Sequence, residues 1–270
     1  DDIVGDLARR DFTVNAMALE LTTKEPEFID PFDGVMDLAK KVLRTPRKAE
    51  ELFTDDPLRM MRAARFASQL NFDVDPTIIT AIENMADRIL IVSAERVRDE
   101  FIKILMSDNP RIGITMMVDT GLADLVIPEI PKLRLEIDEH HHHKDVYEHT
   151  LTVLEQAMAD EERLGGPNLI IRLTALMHDI GKPKTRELIP GGGVSFHHHE
   201  VVGARLTKER LRKLRFDKET IEAVSELVFL HLRFHGYGSG EWTDSAVRRY
   251  IRDAGVYLVH LHVLTRADCT

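Results

Sequence analysis

The stretch DDPLRMMRAARF, residues 55–66, decides how this chain is interpreted, because it combines two acids with three arginines at helical spacing. At about 100° per residue, one side of a helix over this stretch is charged and the other is mostly apolar. The charged members are Asp56, Arg59, Arg62 and Arg65, and the apolar members are Leu58, Met61 and Phe66. The pattern predicts an amphipathic helix whose charged side is either simply solvated or binds an anion.

Helical periodicity continues from Asp37 almost to the end of the chain. Ser93 is a candidate N-cap for the segment AERVRDEFIKILM. Gly121 can end the helix that precedes Gly121. PEIPKL, residues 128–133, is interpreted as a linker, and GGG at 191–193 as a flexible connection. Further helices are predicted at 145–161, 168–180, 199–214, 217–233 and 243–254.

The N-terminal segments FTVNAMAL (12–19) and EFID (27–30) predict a β-hairpin, since residues alternate in character and a short polar spacer separates the two runs. A lone hairpin is unstable in water, so we expect the rest of its sheet to lie upstream of Asp1. The sequence therefore predicts a mainly α-helical fold with a small β-hairpin, and we expect the chain to be a fragment.

Composition limits the class of protein. The 270 residues contain 43% hydrophobic side chains, no run of 18 apolar residues and no signal peptide, so no membrane partner is expected. The single cysteine, Cys269, excludes a disulfide framework within the chain and a cysteine-based zinc site, and it favours a reducing, cytoplasmic setting.

The net charge of -10 argues against general binding to nucleic acids. Residues 1–135 hold 18 Lys and Arg against 25 Asp and Glu, and the remainder holds 18 against 21. Because neither half is basic, any contact with RNA must come from local patches such as the Arg59 side of the helix predicted over residues 55–66.

Histidine is distributed unevenly: all 13 histidines lie between His140 and His262. Since histidine is the commonest metal-ligating side chain, this split predicts two domains with different chemistry that meet near residue 135.

An aspartate beside an arginine can distinguish nucleobases. Ionised Asp only accepts hydrogen bonds and Arg only donates them. Cytosine and adenine present an amine donor next to a ring acceptor, whereas guanine and uracil present an acceptor where that amine stands. A pair such as Asp56 and Arg59 therefore suits C and A, and the further arginines could bind a triphosphate.

Three motifs together resemble class II nucleotidyltransferases, the CCA-adding tRNA nucleotidyltransferases and bacterial poly(A) polymerases. They are RRDFTVNAMAL (9–19), DPFDGVMDL (30–38) and DDPLRMMRAARF (55–66). The resemblance implies that Asp56 and Arg59 read the base, and that Arg62, Arg65, Arg10 and Asp11 contact the nucleotide. The family usually has Glu immediately before the base-reading aspartate, which is Asp56 here, whereas this chain has Asp55 at that position.

The family's head domain also carries a Gly-Ser loop and a pair of aspartates that hold two metal ions, expected to be Mg²⁺, for phosphoryl transfer. Both precede the motif that RRDFT resembles. We therefore expect this chain to lack those ligands and not to polymerise nucleotides by itself.

The segment LMHDIGKPKT places His178 and Asp179 at a predicted helix end, with VYEHTL upstream and LTRADCT downstream. The pattern resembles the HD superfamily of metal-dependent phosphohydrolases, which implies the ligands His149, His178, Asp179 and Asp268. His199 and His231 match the additional histidines of two-metal HD sites.

The resemblance implies a divalent transition metal, one of Mn, Fe, Co, Ni or Zn. Asp179 would bridge two ions and Lys182 could neutralise a phosphate, so these two are the candidate catalytic residues. No role is assigned to the other histidines, which are His140 to His143, His197, His198, His235, His260 and His262.

Together the motifs imply an RNA 3′-nucleotidyltransferase that uses CTP and ATP on tRNA or another RNA 3′ end. The implied domains are residues 1–36, a remnant of the head; 37–134, a helical neck; and 135–270, an HD domain. Two alternatives stay open, a metal-dependent phosphohydrolase acting on RNA ends or nucleotides and a non-catalytic RNA-binding module. The sequence leaves open CCA addition versus poly(A) addition, the metal, the activity of the HD site and the oligomeric state.

Overall fold

The computed structural model of the protein describes residues 2–22, 24–134, 145–189, 193–234 and 243–269. The chain divides into two compact units, Asp1–Val126 and Ile127–Thr270. Helices dominate both units, so the prediction of a mainly α-helical fold is confirmed. Within the described ranges, no helix is both long enough and apolar enough to cross a membrane.

The first unit contains eight of the described helices and two small sheets. Its helices are α1 (Ile3–Leu7), α2 (Gly34–Lys40), α3 (Ala49–Asp55), α4 (Leu58–Leu70), α5 (Pro76–Met85), α6 (Ala94–Leu105), α7 (Pro110–Asp119) and α8 (Leu122–Val126). Its strands are β1 (Ala18–Glu20), β2 (Glu27–Ile29), β3 (Val42–Leu43) and β4 (Asp73–Val74). Short 3-10 turns occupy Thr13–Asn15 and Ala86–Ile91.

The predicted hairpin is present, but its first strand is wrong in extent. β1 and β2 pair antiparallel with Leu19 opposite Phe28, whereas Thr13–Asn15 forms a 3-10 turn in place of the predicted strand start. The physical reason is local. The side chain of Asn15 accepts the backbone N–H of Phe12 at 3.2 Å, and the Thr13 hydroxyl donates to buried Asp37 at 2.5 Å.

The helix predicted from Asp56 begins instead at Leu58, and this corrects the placement of Asp56. Asp56 has an extended backbone, with φ -147° and ψ 102°, and it precedes Pro57. A residue before proline is pushed out of the α region by the proline ring. Asp56 therefore lies at the entry to α4, while Arg59, Arg62 and Arg65 lie within the helix.

Helix α4 forms the centre of the first unit because its apolar side is fully buried. Met60, Met61 and Ala64 have no exposed surface, and the helix packs against α6 and α7. Gly113 of α7 allows the closest approach, since a Cβ there would stand 2.8 Å from the carbonyl oxygen of Ala64. Asn71, in the left-handed conformation at φ 53°, ends α4. The predicted capping of α6 by Ser93 is confirmed, with a distance of 3.5 Å to the N–H of Arg96.

The second unit contains the remaining described helices. They are α9 (Val146–Ala159), α10 (Leu169–Met177), α11 (Lys182–Thr185), α12 (His199–Lys213), α13 (Lys218–Leu230), α14 (Asp244–Ala254) and α15 (Leu258–Asp268). A short antiparallel pair joins β5 (Glu187–Leu188) to β6 (Val194–Ser195). Short 3-10 turns occupy Pro131–Leu133, Glu161–Leu164, His231–Phe234 and Gly255–Tyr257.

The segment predicted as a linker, 128–133, is instead packed into the second unit. Ile130 and Leu133 are fully buried, and Glu129 forms an ion pair with Arg210 of α12 at 2.9 Å. Apolar side chains therefore fix this segment to the core. The unit boundary after Val126 precedes the expected one, and the three-domain division stays a prediction. The expectations for His140 to His143, for His235 and for Gly191 and Gly192 lie outside the described residues.

Candidate functional site

The charged side of α4 is held by acids from other elements. Asp11 is 7% exposed, its Oδ1 lies 3.0 Å from the Nε of Arg59, and its Oδ2 pairs with the Nη2 of Arg62. Arg59 also donates from Nη2 to the carbonyl oxygen of Arg9 at 2.6 Å. One buried carboxylate thus connects the segment RRDFT to the arginines of α4, and the charged side is not simply solvated.

The carboxylate of Asp56 is oriented by two partners. Its Oδ2 accepts from the Nη2 of Arg96 at 2.9 Å, and its Oδ1 accepts from the backbone N–H of Leu58 at 3.1 Å. The side chain of Asp56 keeps 32% of its surface exposed, so it is oriented and still reachable. The two expected base-reading groups, Asp56 and Arg59, are three residues apart in the chain. The side chain of each is held in place by hydrogen bonds or ion pairs to other residues.

Arg65 points to a different partner. Its Nη1 donates to both carboxylate oxygens of Glu100, at 3.0 and 2.8 Å, and both side chains are largely buried. Burial lowers the pKa of Arg65, although the charge of Glu100 opposes that effect. This geometry gives Arg65 a structural ion pair between α4 and α6, and its nucleotide contact stays a prediction.

Two further residues singled out in the sequence, Arg10 and Asp55, lie at the surface. Arg10 is more than half exposed and donates to Asp6 one helical turn earlier, at 3.2 Å, so it is available to a ligand. Asp55, which replaces the usual Glu, pairs with Arg47 at 2.8 Å. The ion pair between Asp55 and Arg47 leaves Asp56 as the carboxylate that faces the entry to α4.

Sequence reasoning missed Arg96 and Glu100. Arg96 and Glu100 lie four residues apart on α6. Arg96 pairs with Asp56, just before α4, and Glu100 pairs with Arg65, within α4. The signal is present in ERVRDE, where a cation and an acid share one face of a helix. It becomes interpretable only once α6 is known to pack on α4.

The histidine half forms a buried cluster from the ends of helices. His178 and Asp179 follow α10, His199 begins α12, His231 follows α13 and Asp268 ends α15, while His149 lies within α9. Their ligand atoms form two groups, each within 4.8 Å: one is His149, His178 and Asp268, and the other is Asp179, His199 and His231. All six metal ligands expected from the sequence are therefore brought together.

Asp179 stands between the two groups. Its Oδ1 lies 3.3 Å from the Nε2 of His199 and 3.9 Å from that of His231, whereas its Oδ2 lies 3.3 Å from the Nε2 of His178. In the other group, the Oδ1 of Asp268 lies 3.0 Å from the Nε2 of His149. Each oxygen of Asp179 thus faces a different group, as a bridging carboxylate requires.

Three of the histidines are oriented by the same backbone contact. The Nδ1 of His178 lies 2.8 Å from the carbonyl oxygen of Ala175, and His199 and His231 make the same contact with residues three positions earlier. An Nδ1–H that donates to a carbonyl leaves Nε2 as the free ligand atom and fixes the ring. The cluster is therefore preorganised by the backbone.

Glycine permits the close approach that brings His199 to the cluster. A Cβ at Gly181 would stand 2.1 Å from the carbonyl oxygen of His199 and 2.8 Å from the backbone N of Gly203. The turn after the HD dipeptide therefore lies directly against the first turn of α12, and only glycine fits there.

The electrostatics of the cluster depend on opposed charges in a dry interior. Burial disfavours a charged His178, but the carboxylates of Asp179 and Asp268 outweigh it and raise the pKa of His178 to about 10. Burial together with the charge of His178 lowers the pKa of His231 to about 3. The pKa of Asp179 is held well below its usual range, because His178, His199 and Lys182 outweigh the effect of burial.

The donor set fits a divalent transition metal. Four imidazoles and two carboxylates suit Mn, Fe, Co, Ni or Zn. In the part of the chain that the structure describes, the fully buried Nε2 of His178 has no hydrogen-bond partner, although it lies 3.3 Å from Asp179 and 3.5 Å from Asp268. A buried polar atom is rarely left unsatisfied unless it serves a ligand. Lys182 donates from Nζ to the Oδ2 of Asp179 at 2.5 Å, at the edge of the cluster.

Three family models match the chain. The model of the poly A polymerase head domain matches residues 1–44, and that of the probable RNA and SrmB-binding site of polymerase A matches residues 71–133. The HD domain model matches residues 146–268.

Curated relatives and solved structures are similar over most of the chain. An A-adding tRNA nucleotidyltransferase of Deinococcus radiodurans is 37% identical over 233 residues, which are 84% of this chain and 52% of the relative. A multifunctional CCA protein of Neisseria gonorrhoeae is 35% identical over 241 residues, which are 86% of this chain and 54% of the relative. The chain thus spans about half the length of these relatives. A solved CCA-adding enzyme in complex with CTP shares the fold, with a TM-score of 0.67 over 97% of this chain and 56% of that chain at 22% identity.

Proposed function

We propose a function from one premise, which is that the chain belongs to the family of CCA-adding tRNA nucleotidyltransferases and bacterial poly(A) polymerases that carry a C-terminal HD domain. The whole protein is then a transferase that adds nucleotides from CTP and ATP to the 3′ end of tRNA or another RNA. Mg²⁺ as the metal of transfer and a cytoplasmic setting are parts of this proposal that rest on the sequence.

The observation that supports the proposal best is the link from Asp11 to Arg59 and Arg62. It joins the head-domain motif to the helix that is expected to choose the nucleotide. Asp56 would accept the amine hydrogen of cytosine or adenine while Arg59 donates to the neighbouring ring acceptor. Arg62 and Arg10 would contact phosphate oxygens. Asp11 would position the two arginines, and Arg65 would support α4 from behind.

The test measures nucleotide choice by the whole protein on a tRNA transcript that lacks its CCA end. We expect incorporation from CTP and ATP and none from GTP or UTP. Asp56→Asn replaces one acceptor oxygen by a donor, so it should reduce the preference for CTP over UTP by about 5- to 150-fold, the value of about 1–3 kcal/mol for one base-reading contact.

Asp55→Asn is the matched control, since it removes the neighbouring carboxylate, which binds Arg47 at the surface. This variant should keep the wild-type preference. An Asp56→Asn protein that chooses among the four triphosphates as the wild type does would contradict the proposed role. Sequencing the added residues distinguishes CCA addition from poly(A) addition.

A second candidate function is supported by the six-ligand cluster. We propose that the HD domain is a metal-dependent phosphohydrolase acting on RNA ends or nucleotides. A divalent metal bound there supplies a Lewis acid and lowers the pKa of bound water to about 7. His149, His178, Asp179, His199, His231 and Asp268 would hold the metal, and Lys182 would neutralise a substrate phosphate.

The test measures metal content and hydrolysis of a 2′,3′-cyclic nucleotide by the purified whole protein. His178→Ala should abolish hydrolysis and lower the metal content, because it removes a buried ligand from one of the two groups. His197→Ala is the control, since His197 is exposed and outside the two groups. A metal content in His178→Ala equal to that of the wild type would contradict the assignment. RNA binding without transfer or hydrolysis would indicate the third alternative, a non-catalytic module.

A further inference from the structure

Helix α12 carries a local concentration of positive charge in a protein whose net charge is -10. Residues 205–215 contain six Lys and Arg side chains and one acid. Arg205, Lys208 and Arg212 are exposed, and we call these three residues the α12 stripe. None of the three stripe residues belongs to the proposed nucleotide site or to the candidate metal cluster.

The three residues share one face of α12. Their spacing of three and four residues places them within about 60° around the helix axis. The buried residues of the same helix, His199, Gly203, Leu206, Thr207 and Leu211, lie on the side facing the core. At about 1.5 Å per residue, the stripe runs for about 10 Å along the outward face.

The cations of the stripe are not used to bind neighbouring acids. Arg210 of the same helix pairs with Glu129 at 2.9 Å. Within the described ranges, by contrast, none of the three stripe residues forms an ion pair. Arg212 lies in the last turn, where a cation stabilises the helix dipole, but Arg205 and Lys208 lie in earlier turns where that reason does not apply.

We propose that the α12 stripe binds the phosphodiester backbone of the RNA substrate. Arginine and lysine donate to phosphate oxygens, and a length of about 10 Å is comparable to the axial rise of a few nucleotides, at about 3.4 Å per nucleotide in a B-form strand. Lys and Arg side chains in this arrangement position a strand and read no sequence. The inference takes RNA as the ligand from the proposed function, and it adds a contact on α12, whereas the matched RNA-binding model covers residues 71–133, most of which lie in the first unit.

The experiment compares two triple variants of the whole protein, each of which removes three positive charges. Arg205→Gln/Lys208→Gln/Arg212→Gln removes the stripe, and Arg248→Gln/Arg249→Gln/Arg252→Gln removes three exposed cations of α14. Binding of a tRNA transcript without its CCA end is measured across a salt series. The slope of log K against log salt should fall in magnitude by about 2 to 3 for the stripe variant, since each lost phosphate contact changes it by about 0.7–0.9. The α14 control should keep the wild-type slope.

A stripe variant with the wild-type slope would overturn the proposal, and so would an α14 control that loses as much as the stripe variant. Thermal unfolding by circular dichroism verifies that both variants are folded. Nucleotide addition is measured in parallel: a wild type that adds nothing, with the slope effect intact, refutes the transferase proposal alone. Polyglutamate is a second probe. If the stripe variant lost binding to polyglutamate while its RNA slope stayed at the wild-type value, the partner of the stripe would be an acidic protein surface, and RNA as the ligand would be refuted.

Discussion

The two candidate sites hold their functional groups in opposite ways. Around α4, charged side chains hold one another, as Asp11 holds Arg59 and Arg62 and as Arg96 holds Asp56. In the histidine cluster, backbone carbonyl groups orient the imidazoles and helix ends place them. The first arrangement depends on partners 40 or more residues away, whereas the second depends on contacts three residues away.

This difference suggests how each site responds to change. An ion pair between partly exposed side chains can exchange one partner for another, so Asp56 would be able to leave Arg96 if a base bound at the proposed nucleotide site. Backbone-anchored ligands cannot rearrange in this way, which suits a metal that requires fixed geometry. We therefore expect graded effects from single changes around α4 and all-or-none effects in the cluster.

The largest expected effect on folding concerns a buried ion pair in the second unit. Arg172 donates from Nε and Nη2 to the two oxygens of Glu161, both at 2.8 Å, and both residues are 4% exposed. Arg172→Met leaves the Glu161 carboxylate buried without its partner, so the free energy of unfolding should fall by about 3–5 kcal/mol. Urea denaturation followed by circular dichroism measures the change.

Lys218→Met is the control for that measurement, because it breaks the exposed pair of Lys218 with Glu222. It should change the free energy of unfolding by less than about 1 kcal/mol. Equal losses in the two variants would mean that burial does not set the value of an ion pair in this unit, and the contrast between partly exposed and buried pairs would fail.

The next effect tests whether the cluster is all-or-none. Among the described residues, Asp179 is the carboxylate that faces both groups, so Asp179→Ala should lower the affinity for metal by more than about 100-fold, beyond the loss expected from an outer-shell change. Metal analysis after dialysis measures it. Nucleotide choice on tRNA should stay at the wild-type value, because the α4 site shares no residue with the cluster. A graded loss of about twofold would remove the distinction between the two sites.

Much of the fold and of the metal cluster could be predicted from the sequence. The expected helices at 145–161, 199–214 and 243–254 agree with α9, α12 and α14 to within two residues, because each has strong periodicity and local end signals. The candidate ligands His178 and Asp179 are recognisable because HDIGKP is one contiguous motif, and the short motifs around His149 and Asp268 add to it from a distance. The anchoring carbonyl groups are not recognisable, since a backbone contact carries no residue identity.

The parts that failed depend on distant partners or on competing local rules. Asp56 was placed on the helix by counting 100° per residue, although Pro57 after it already disfavoured helix at that position. The ion pair of Arg65 could not be inferred from α4 alone, since its partner Glu100 lies 35 residues away, and the nucleotide contact of Arg65 stays a prediction. The segment 128–133 resembled a linker through its prolines, while burial of Ile130 and Leu133 appears only in three dimensions.

A smaller effect concerns the support of α4. Glu100→Gln removes the charge that compensates Arg65, whose side chain is 11% exposed. We expect a loss of about 1–3 kcal/mol in the free energy of unfolding, because the remaining guanidinium stays largely buried. The ratio of kcat/KM for CTP over UTP should not change, since Glu100 contacts neither Asp56 nor Arg59 directly. A changed ratio would show that Arg65 takes part in nucleotide choice after all.

Asp99→Asn is the control for Glu100→Gln. Asp99 is the adjacent acid of α6, it is more than half exposed, and it pairs with Arg98 at 2.7 Å. Its loss should cost less than about 1 kcal/mol. The two variants together separate the ion pair that supports α4 from the general charge of α6.

The smallest effect tests a purely local contact, which neither site uses. Asp217 caps α13 by accepting the backbone N–H of Thr220 at 2.8 Å, and that hydrogen bond lowers the pKa of the carboxyl group. Because the folded-state pKa lies below the unfolded value, the contribution to stability is complete above the unfolded pKa of about 3.9 and is lost as pH falls through the folded value. Asp217→Ala should cost about 1 kcal/mol at pH 7, and Asp217→Asn, which can still cap, only a few tenths. Urea denaturation at pH 7 and at pH 3 should show the difference between wild type and Asp217→Asn shrinking in acid; a difference independent of pH would show that the cap acts without its charge.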